Sequence, residues 1–195
     1  TVGQLGRILA GTFGSWDQAR YERMVSDAGV GMDKRLKSLS RGMGMKVQVA
    51  AAMSRDPDIL ILDEPTAGMD PAARDEFLDS VREYIQDENR TVLISSHITT
   101  DLEKVADRIA FMHGGRIVLS EDKDELLERF GVLRCGASDW ERVDRSAVVK
   151  FRRGDMGIAA LVDDKAGMRE AYPELVVDDA SLDDIMVLTI RGEDA

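Results

Sequence analysis

The spacing of hydrophobic positions changes several times along the chain, and each change marks an element. Over residues 1–38 apolar side chains recur at helical intervals, with Leu5, Ile8 and Leu9 on one face. The segment SWDQARYERMVSDAG carries its own start and stop signals. Ser15 with Gln18 three residues on predicts a capping box, and Gly29 is placed to end the helix. Another helix is predicted after Ser40, through KVQVAAAMS, until Asp56-Pro57 interrupts it. The run Ile59-Leu60-Ile61-Leu62 is too short and too uniformly apolar for an amphipathic helix. It predicts a strand buried on both faces of a parallel sheet. Asp70-Pro71 then opens a helix whose expected buried stripe is Phe77, Leu78, Val81, Tyr84 and Ile85. TVLIS, residues 91–95, predicts a second buried strand, and strand, helix and strand together predict a right-handed parallel βαβ unit.

Beyond residue 98 the signals change. Thr100 with Glu103 predicts a boxed start to a short helix, and RIAFM and RIVLS flank His113-Gly114-Gly115 as the arms of a hairpin. From about residue 121 the texture becomes that of a small α+β appendage. A charged helix over 122–130 leads to strands near 131–135, 147–151 and 158–162, a helix near 164–170, a strand ELVVD, and a last helix opened by Ser181 and Asp184. The expected organisation is therefore a helical arm over 1–38, a core over 39–120 and an α+β extension over 121–195.

Composition narrows the class. The chain has 195 residues, 44% hydrophobic and 32% charged, which is the make-up of an ordinary globular protein and excludes disorder. No run approaches the roughly 18–20 apolar residues of a membrane span, and no basic-then-apolar leader opens the sequence. A net charge of −11 argues against nucleic acid as a partner. The single cysteine, Cys135, has no internal disulfide partner and sits in the apolar stretch VLRCG, so it is expected to be an inert packed thiol in a reducing compartment. Thr1 rather than Met at the start is what a piece of a longer chain would show.

The chemistry concentrates where ILILDEPTAGMD turns from aliphatic to acidic. A buried parallel strand ending in Asp63-Glu64 puts both carboxylates at the carboxyl edge of the sheet, where ligands bind in open α/β folds. Asp63 suits a hard cation such as Mg²⁺, and Glu64, one residue on, can polarise an attacking water. The plain alternative is that the pair caps the next turn. Ser40 and Gly42 sit at a helix N-terminus, where free N–H groups and the dipole favour a phosphate, although an ordinary N-cap serine reads the same way. His97 follows the second strand within two residues, which brings it to the same sheet edge. His113 is read as a turn residue.

Taken together these motifs resemble the nucleotide-binding domain of ABC transporters. Leu39-Ser40-Arg41-Gly42-Met43 resembles the signature motif, Ile59 to Glu64 the Walker B strand, Ala67-Gly68-Met69-Asp70 the D-loop, and Ser95-Ser96-His97 the switch-histidine loop. Order and spacing agree too, with Ser40 lying 23 residues before Asp63 and His97 lying 34 after it. The resemblance implies the C-terminal part of a P-loop ABC-type domain, helical arm plus parallel-sheet core. It implies ATP and Mg²⁺ as ligands, with Asp63 on the metal, and Glu64 and His97 as catalytic residues at the γ-phosphate and its water. Ser40, Arg41, Gly42 and Asp70 would then face nucleotide across a dimer. Departures from the LSGGQ pattern fall at Arg41, in place of glycine, and Met43, in place of glutamine. Arg41 either adds a cation near phosphate or faces solvent, and Asp70 serves as an N-cap, a dimer contact, or both.

The tail, above all SLDDIMVLTIRGE, resembles the extensions of ABC-2-type exporter ATPases. That implies a cytoplasmic protein, peripheral on the inner face of the membrane, partnered by a transmembrane permease and by a second nucleotide-binding subunit, identical or different. The phosphate-cradling loop GxxxxGK[ST] is not in the sequence, which holds no Gly-Lys pair. In the family that loop precedes the helical arm, and Gln4 lies in a helical pattern and is not assigned to the family's Q-loop. The alternatives are a non-transport ABC-type ATPase and a non-hydrolytic interaction module. The first lacks its usual coiled-coil run or second cassette here, and the second gives no reason to keep Glu64 and His97.

Overall fold

The computed structural model describes residues 1–155 and 157–194, which divide into two compact units, Thr1–His97 and Ile98–Ala195. The boundary expected near residue 120 falls inside a strand of the second unit.

In the first unit, helices α1 (Val2–Thr12), α2 (Gln18–Asp27) and α3 (Arg41–Met53) enclose a core of Val2, Tyr21, Val25, Val47 and Ala50. The Tyr21 hydroxyl donates to the carbonyl of Val2 at 3.0 Å, so the buried phenol keeps a partner. Its ring lies so close to α1 that a Cβ on Gly6 would come within 2.6 Å of it, which is why glycine stands there. Gly29 closes α2 in the left-handed conformation, φ 68°, as expected. The N-cap of α2 is Asp17, not Ser15: its carboxylate accepts from Arg20 N at 2.8 Å, while its own N–H is tied to the carbonyl of Ser54.

Strand β1 (Ile59–Asp63) pairs in parallel with β2 (Thr91–Ser95), register Ile59 to Thr91 through Asp63 to Ser95, joined by the crossover helix α4 (Pro71–Tyr84). Asp70 caps α4 and Pro71 opens it, and Phe77, Leu78, Val81 and Tyr84 are buried as the sequence predicts, with Ile85 half-buried at the cap. One expectation fails. β1 is buried on one face only. Leu60 and Leu62 are inside, whereas Ile59, Ile61 and, on β2, Leu93 are 63%, 70% and 61% exposed. The aliphatic composition demands cover on both sides, and this chain supplies it on one.

The second unit opens with α5 (Thr99–Val105), whose N-cap is Ile98 with no side-chain bond, so the Thr100/Glu103 box does not form. Strands β3 (Arg108–His113) and β4 (Arg116–Asp122) make the predicted hairpin, turned by Gly114 and Gly115 at φ 56° and 76°, the conformation a two-residue I′ turn requires. Then follow α6 (Lys123–Arg129), β5 (Gly131–Cys135), α7 (Ala137–Trp140), β6 (Val148–Gly154), β7 (Gly157–Val162), α8 (Lys165–Ala171), β8 (Val176–Asp179) and α9 (Leu182–Arg191). The last four strands form one antiparallel sheet in the order β6-β7-β5-β8. With α7 and α8 as its connections this is the β-α-β-β-α-β, ferredoxin-like arrangement. The pleat sends Leu133, Phe151, Ala160 and Val162 into a core with Trp140 and Met168. Val132 and Leu161 enter a second core with Phe111, Leu126, Leu182 and Ile185. α9 thus covers the other sheet face, fixed by the Ser181/Asp184 box and by Leu182 N donating to Glu103 at 2.8 Å.

Candidate functional site

Because β1 and β2 run in parallel and in register, they end side by side, Asp63 against Ser95. The Ser95 hydroxyl donates to Asp63 Oδ1. Immediately beyond, Glu64 takes a left-handed backbone, φ 47°, uncommon for a residue with a side chain and held only where surroundings impose it. Its N–H is fixed by the Ser95 carbonyl at 3.0 Å and by Ser95 Oγ at 3.2 Å. This turn swings the Glu64 side chain over to the loop after β2. There Oε1 accepts from His97 N at 3.1 Å, and Oε2 lies 2.7 Å from His97 Nδ1. An ionised carboxylate only accepts, so the contact places a proton on Nδ1 and leaves Nε2 directed away from Glu64. Three of the expected residues, Asp63, Glu64 and His97, therefore form one bonded set at the sheet edge. Ser95 completes it as a residue that sequence reasoning did not select. Its signal was the equal length of ILILD and TVLIS, which puts the two strand ends at one level.

A second set forms at the start of α3. Ser40 is the N-cap, its Oγ accepting from Met43 N at 3.2 Å, so the hydroxyl is engaged by its own helix. The exposed Arg41 lays its aliphatic stem on the turn after β1: a Cβ on Gly68 would lie 3.2 Å from Arg41 Cδ. Gly68 itself has φ 77°, so the position suits glycine for both space and backbone. Gly42 faces the same turn, with the Gly68 carbonyl and Met69 Cγ each 3.9 Å from where its Cβ would stand. Asp70 ends the turn as the cap of α4, accepting from Ala73 N at 3.0 Å, and this N–H first of all holds its carboxyl below the usual carboxylate value. The structure thus brings Arg41 and Gly42 against Gly68 and Met69, with Ser40 engaged by its own helix and Asp70 by α4, while Asp63, Glu64 and His97 gather at the strand ends. His113 ends β3 beside its glycine turn and joins neither set.

Asp63 and Ser95 offer hard oxygen donors at an exposed edge, which fits Mg²⁺, an ion that keeps waters and takes one or two carboxylates plus substrate phosphates. Among the described residues no group of three or more His, Cys, Asp or Glu gathers as an all-protein metal cage.

A family model described as "AAA domain, putative AbiEii toxin, Type IV TA system" matches residues 31–100, which include both sets. The daunorubicin/doxorubicin resistance ATP-binding protein DrrA of Streptomyces peucetius is 33% identical over 150 residues, 74% of this chain and 44% of that protein. The energy-coupling factor transporter ATP-binding protein EcfA2 of Clostridium tetani is 35% identical over 118 residues, 58% of this chain and 41% of that protein. A solved ATP-binding subunit of an ABC transporter superposes with a TM-score of 0.55 at 26% identity, covering 65% of this chain and 54% of that one. The chain carries part of an ABC-type nucleotide-binding domain.

This ABC-type chain spans about half or less of the length of the curated relatives it matches. Its own residues hold no GxxxxGK[ST] loop. Among the described residues no helix is long and apolar enough to cross a membrane.

Proposed function

We propose that this chain is the part of an ABC transporter's ATPase subunit that carries the water-activating and partner-facing groups, coupling ATP hydrolysis to transport. The observation that supports it best is the bonded set Asp63, Ser95, Glu64 and His97 at the ends of two parallel strands. In this reading Glu64 accepts the proton of the attacking water, and the Nδ1–H of His97, 2.7 Å from Oε2, holds that carboxylate in place. Asp63 holds Mg²⁺, which supplies charge neutralisation at the phosphates. The free N–H groups at the start of α3, around Ser40, Arg41 and Gly42, face the γ-phosphate held by a second nucleotide-binding subunit, and Asp70 borders the same interface. A transmembrane permease completes the assembly, with this subunit on the inner face of the membrane. Export is favoured because the match to DrrA, a drug-resistance ATP-binding protein, is longer than the match to EcfA2, 150 residues against 118.

The test joins this chain to the phosphate-loop lobe that it lacks. Glu64→Gln keeps shape but removes the base, so turnover should fall roughly 10²- to 10⁴-fold while the nucleotide-bound dimer persists. Asp63→Asn should instead impair Mg²⁺-dependent ATP binding itself. ATPase rate and size-exclusion mass, with and without Mg-ATP, separate the two. Hydrolysis by Glu64→Gln at the parent rate would overturn the assignment, and sustained turnover by the present chain alone would overturn the need for the loop.

A further inference from the structure

The sheet of the second unit ends, beneath α9, in a groove that no part of the nucleotide chemistry uses. Arg134 on β5 and Arg152 on β6 both pair with Ala159 on β7, so the three residues share one sheet face. One level inward on that face stand Val132 and Leu161, packed with Ile185 and Leu188 of α9. The arginine row therefore lies where the apolar core stops. Ala159 is too small to fill the space between two long neighbours, and the β6–β7 turn is built on Gly154 and Gly157, so a groove of about 730 Å³ remains, walled by Val187 and Leu188. That is room enough for a small organic ligand.

Its charges are placed unevenly. Arg134 donates through Nε to Asp178 at 2.8 Å, which fixes the guanidinium and leaves its terminal nitrogens for another acceptor. Arg152 is exposed and, among the described residues, has no carboxylate partner. Of the carboxylates lining the groove, Asp184 is engaged by Ser181, while Asp155 and Asp183 are exposed.

We propose that this groove binds a small amphipathic anion. Its single carboxylate or phosphate-ester group sits between Arg134 and Arg152, and its short apolar body lies against Ala159, Val187 and Leu188. Guanidinium forks match both headgroups. Adjacent strands lie roughly 4.8 Å apart, so the two arginines rise about 10 Å from each other, a span their side chains close around one anion. Asp155 and Asp183 oppose a second anionic group on the ligand body, which selects ligands with one headgroup. The site is independent of the ATPase reading, since none of its residues belongs to the strand-end set.

The experiment titrates the full chain by calorimetry with four probes: octanoate, octyl phosphate, inorganic phosphate and octylammonium. Saturable binding of octanoate or octyl phosphate is expected, with the better of the two naming the headgroup, and much weaker binding of the other two probes. Arg152→Ala should weaken the bound probe by roughly 10- to 100-fold, the usual loss of a charge-assisted contact, without moving the unfolding midpoint, because Arg152 is exposed. Ala159→Leu should block the groove. Inorganic phosphate binding as tightly as octyl phosphate would overturn the amphipathic ligand. Octylammonium matching octanoate, an indifferent Arg152→Ala, or no saturable binding would overturn the site.

Discussion

Ile59, Ile61 and Leu93 present an apolar stripe on one face of the β1–β2 pair, and its size determines how the chain should behave alone. At 63%, 70% and 61% exposure the three together leave about two full side chains' worth of apolar surface in water, worth about 3–6 kcal/mol if covered. Two copies meeting through this face would gain about twice that. Association itself costs about 4–15 kcal/mol, so the gain and the cost nearly balance. The expected outcome is weak, concentration-dependent self-association, not a tight dimer. Replacing Ile59 and Leu93 by Thr and Ile61 by Lys keeps strand propensity on the β-branched positions and puts a charge at the stripe's centre. Because all three side chains are exposed, folded stability should change by no more than about 0.5 kcal/mol per site. Sedimentation equilibrium across a wide concentration range measures the association, and thermal unfolding checks the fold. A parent chain that stays monomeric at every concentration, or a triple variant that associates as strongly as the parent, would refute the reasoning.

Two further outcomes follow from the second set of residues. In the protein completed with a phosphate loop, Arg41→Glu should weaken ATP-dependent dimerisation, more so at low salt where charges are less screened, because the stem resting on Gly68 holds the guanidinium beside the turn that ends in Asp70; equal dimerisation at both salts would place that charge outside the interface. Asp70 has its carboxyl pKa held down by the Ala73 N–H, so its share of stability is fully present above the ordinary value of 3.8 and fades as pH falls through the lowered folded value. Asp70→Asn keeps a capping oxygen and removes the titration. The parent should therefore be the more stable of the two above 3.8 by a steady margin, and the two stability–pH curves should converge on the acid limb; a margin absent near neutrality, or one that persists unchanged in acid, would contradict the assignment.

Where local chemistry alone decides, the sequence predicted the fold correctly: the Ser40 cap of α3, Asp70-Pro71 before α4, the glycine turn between β3 and β4, and the Ser181/Asp184 box of α9. It failed where two capable residues compete and a distant partner decides. Ser15 and Asp17 are both good helix caps, but the N–H of Asp17 is tied to Ser54 across the helical unit, which settles the choice. Thr100 and Glu103 have the spacing of a box, yet Glu103 serves the start of α9, 79 positions away. The ferredoxin-like strand order depends entirely on such long-range pairings, and the sequence showed only an α+β texture.

The candidate site divides along the same line. That two carboxylates stand at a strand end was legible in ILILDE, because an aliphatic run sets the strand and its end together. That Glu64 turns away from Asp63 to meet His97 was not, since it depends on a left-handed backbone at a residue whose side chain disfavours it. The turn is held from outside, by the Ser95 carbonyl on Glu64 N and by His97 on the carboxylate. Removing either support should let Glu64 relax to an ordinary backbone and carry its carboxylate away from the loop after β2. The conformation that aims Glu64 is thus a property of both strand ends, β1 leading into the residue, and the end of β2 with the loop after it supplying the two groups that hold it. The exposed stripe on those strands bears on the same point. Whatever covers Ile59, Ile61 and Leu93 also steadies the pair whose ends position the site, so cover for the sheet and order in the carboxylate set should be gained together.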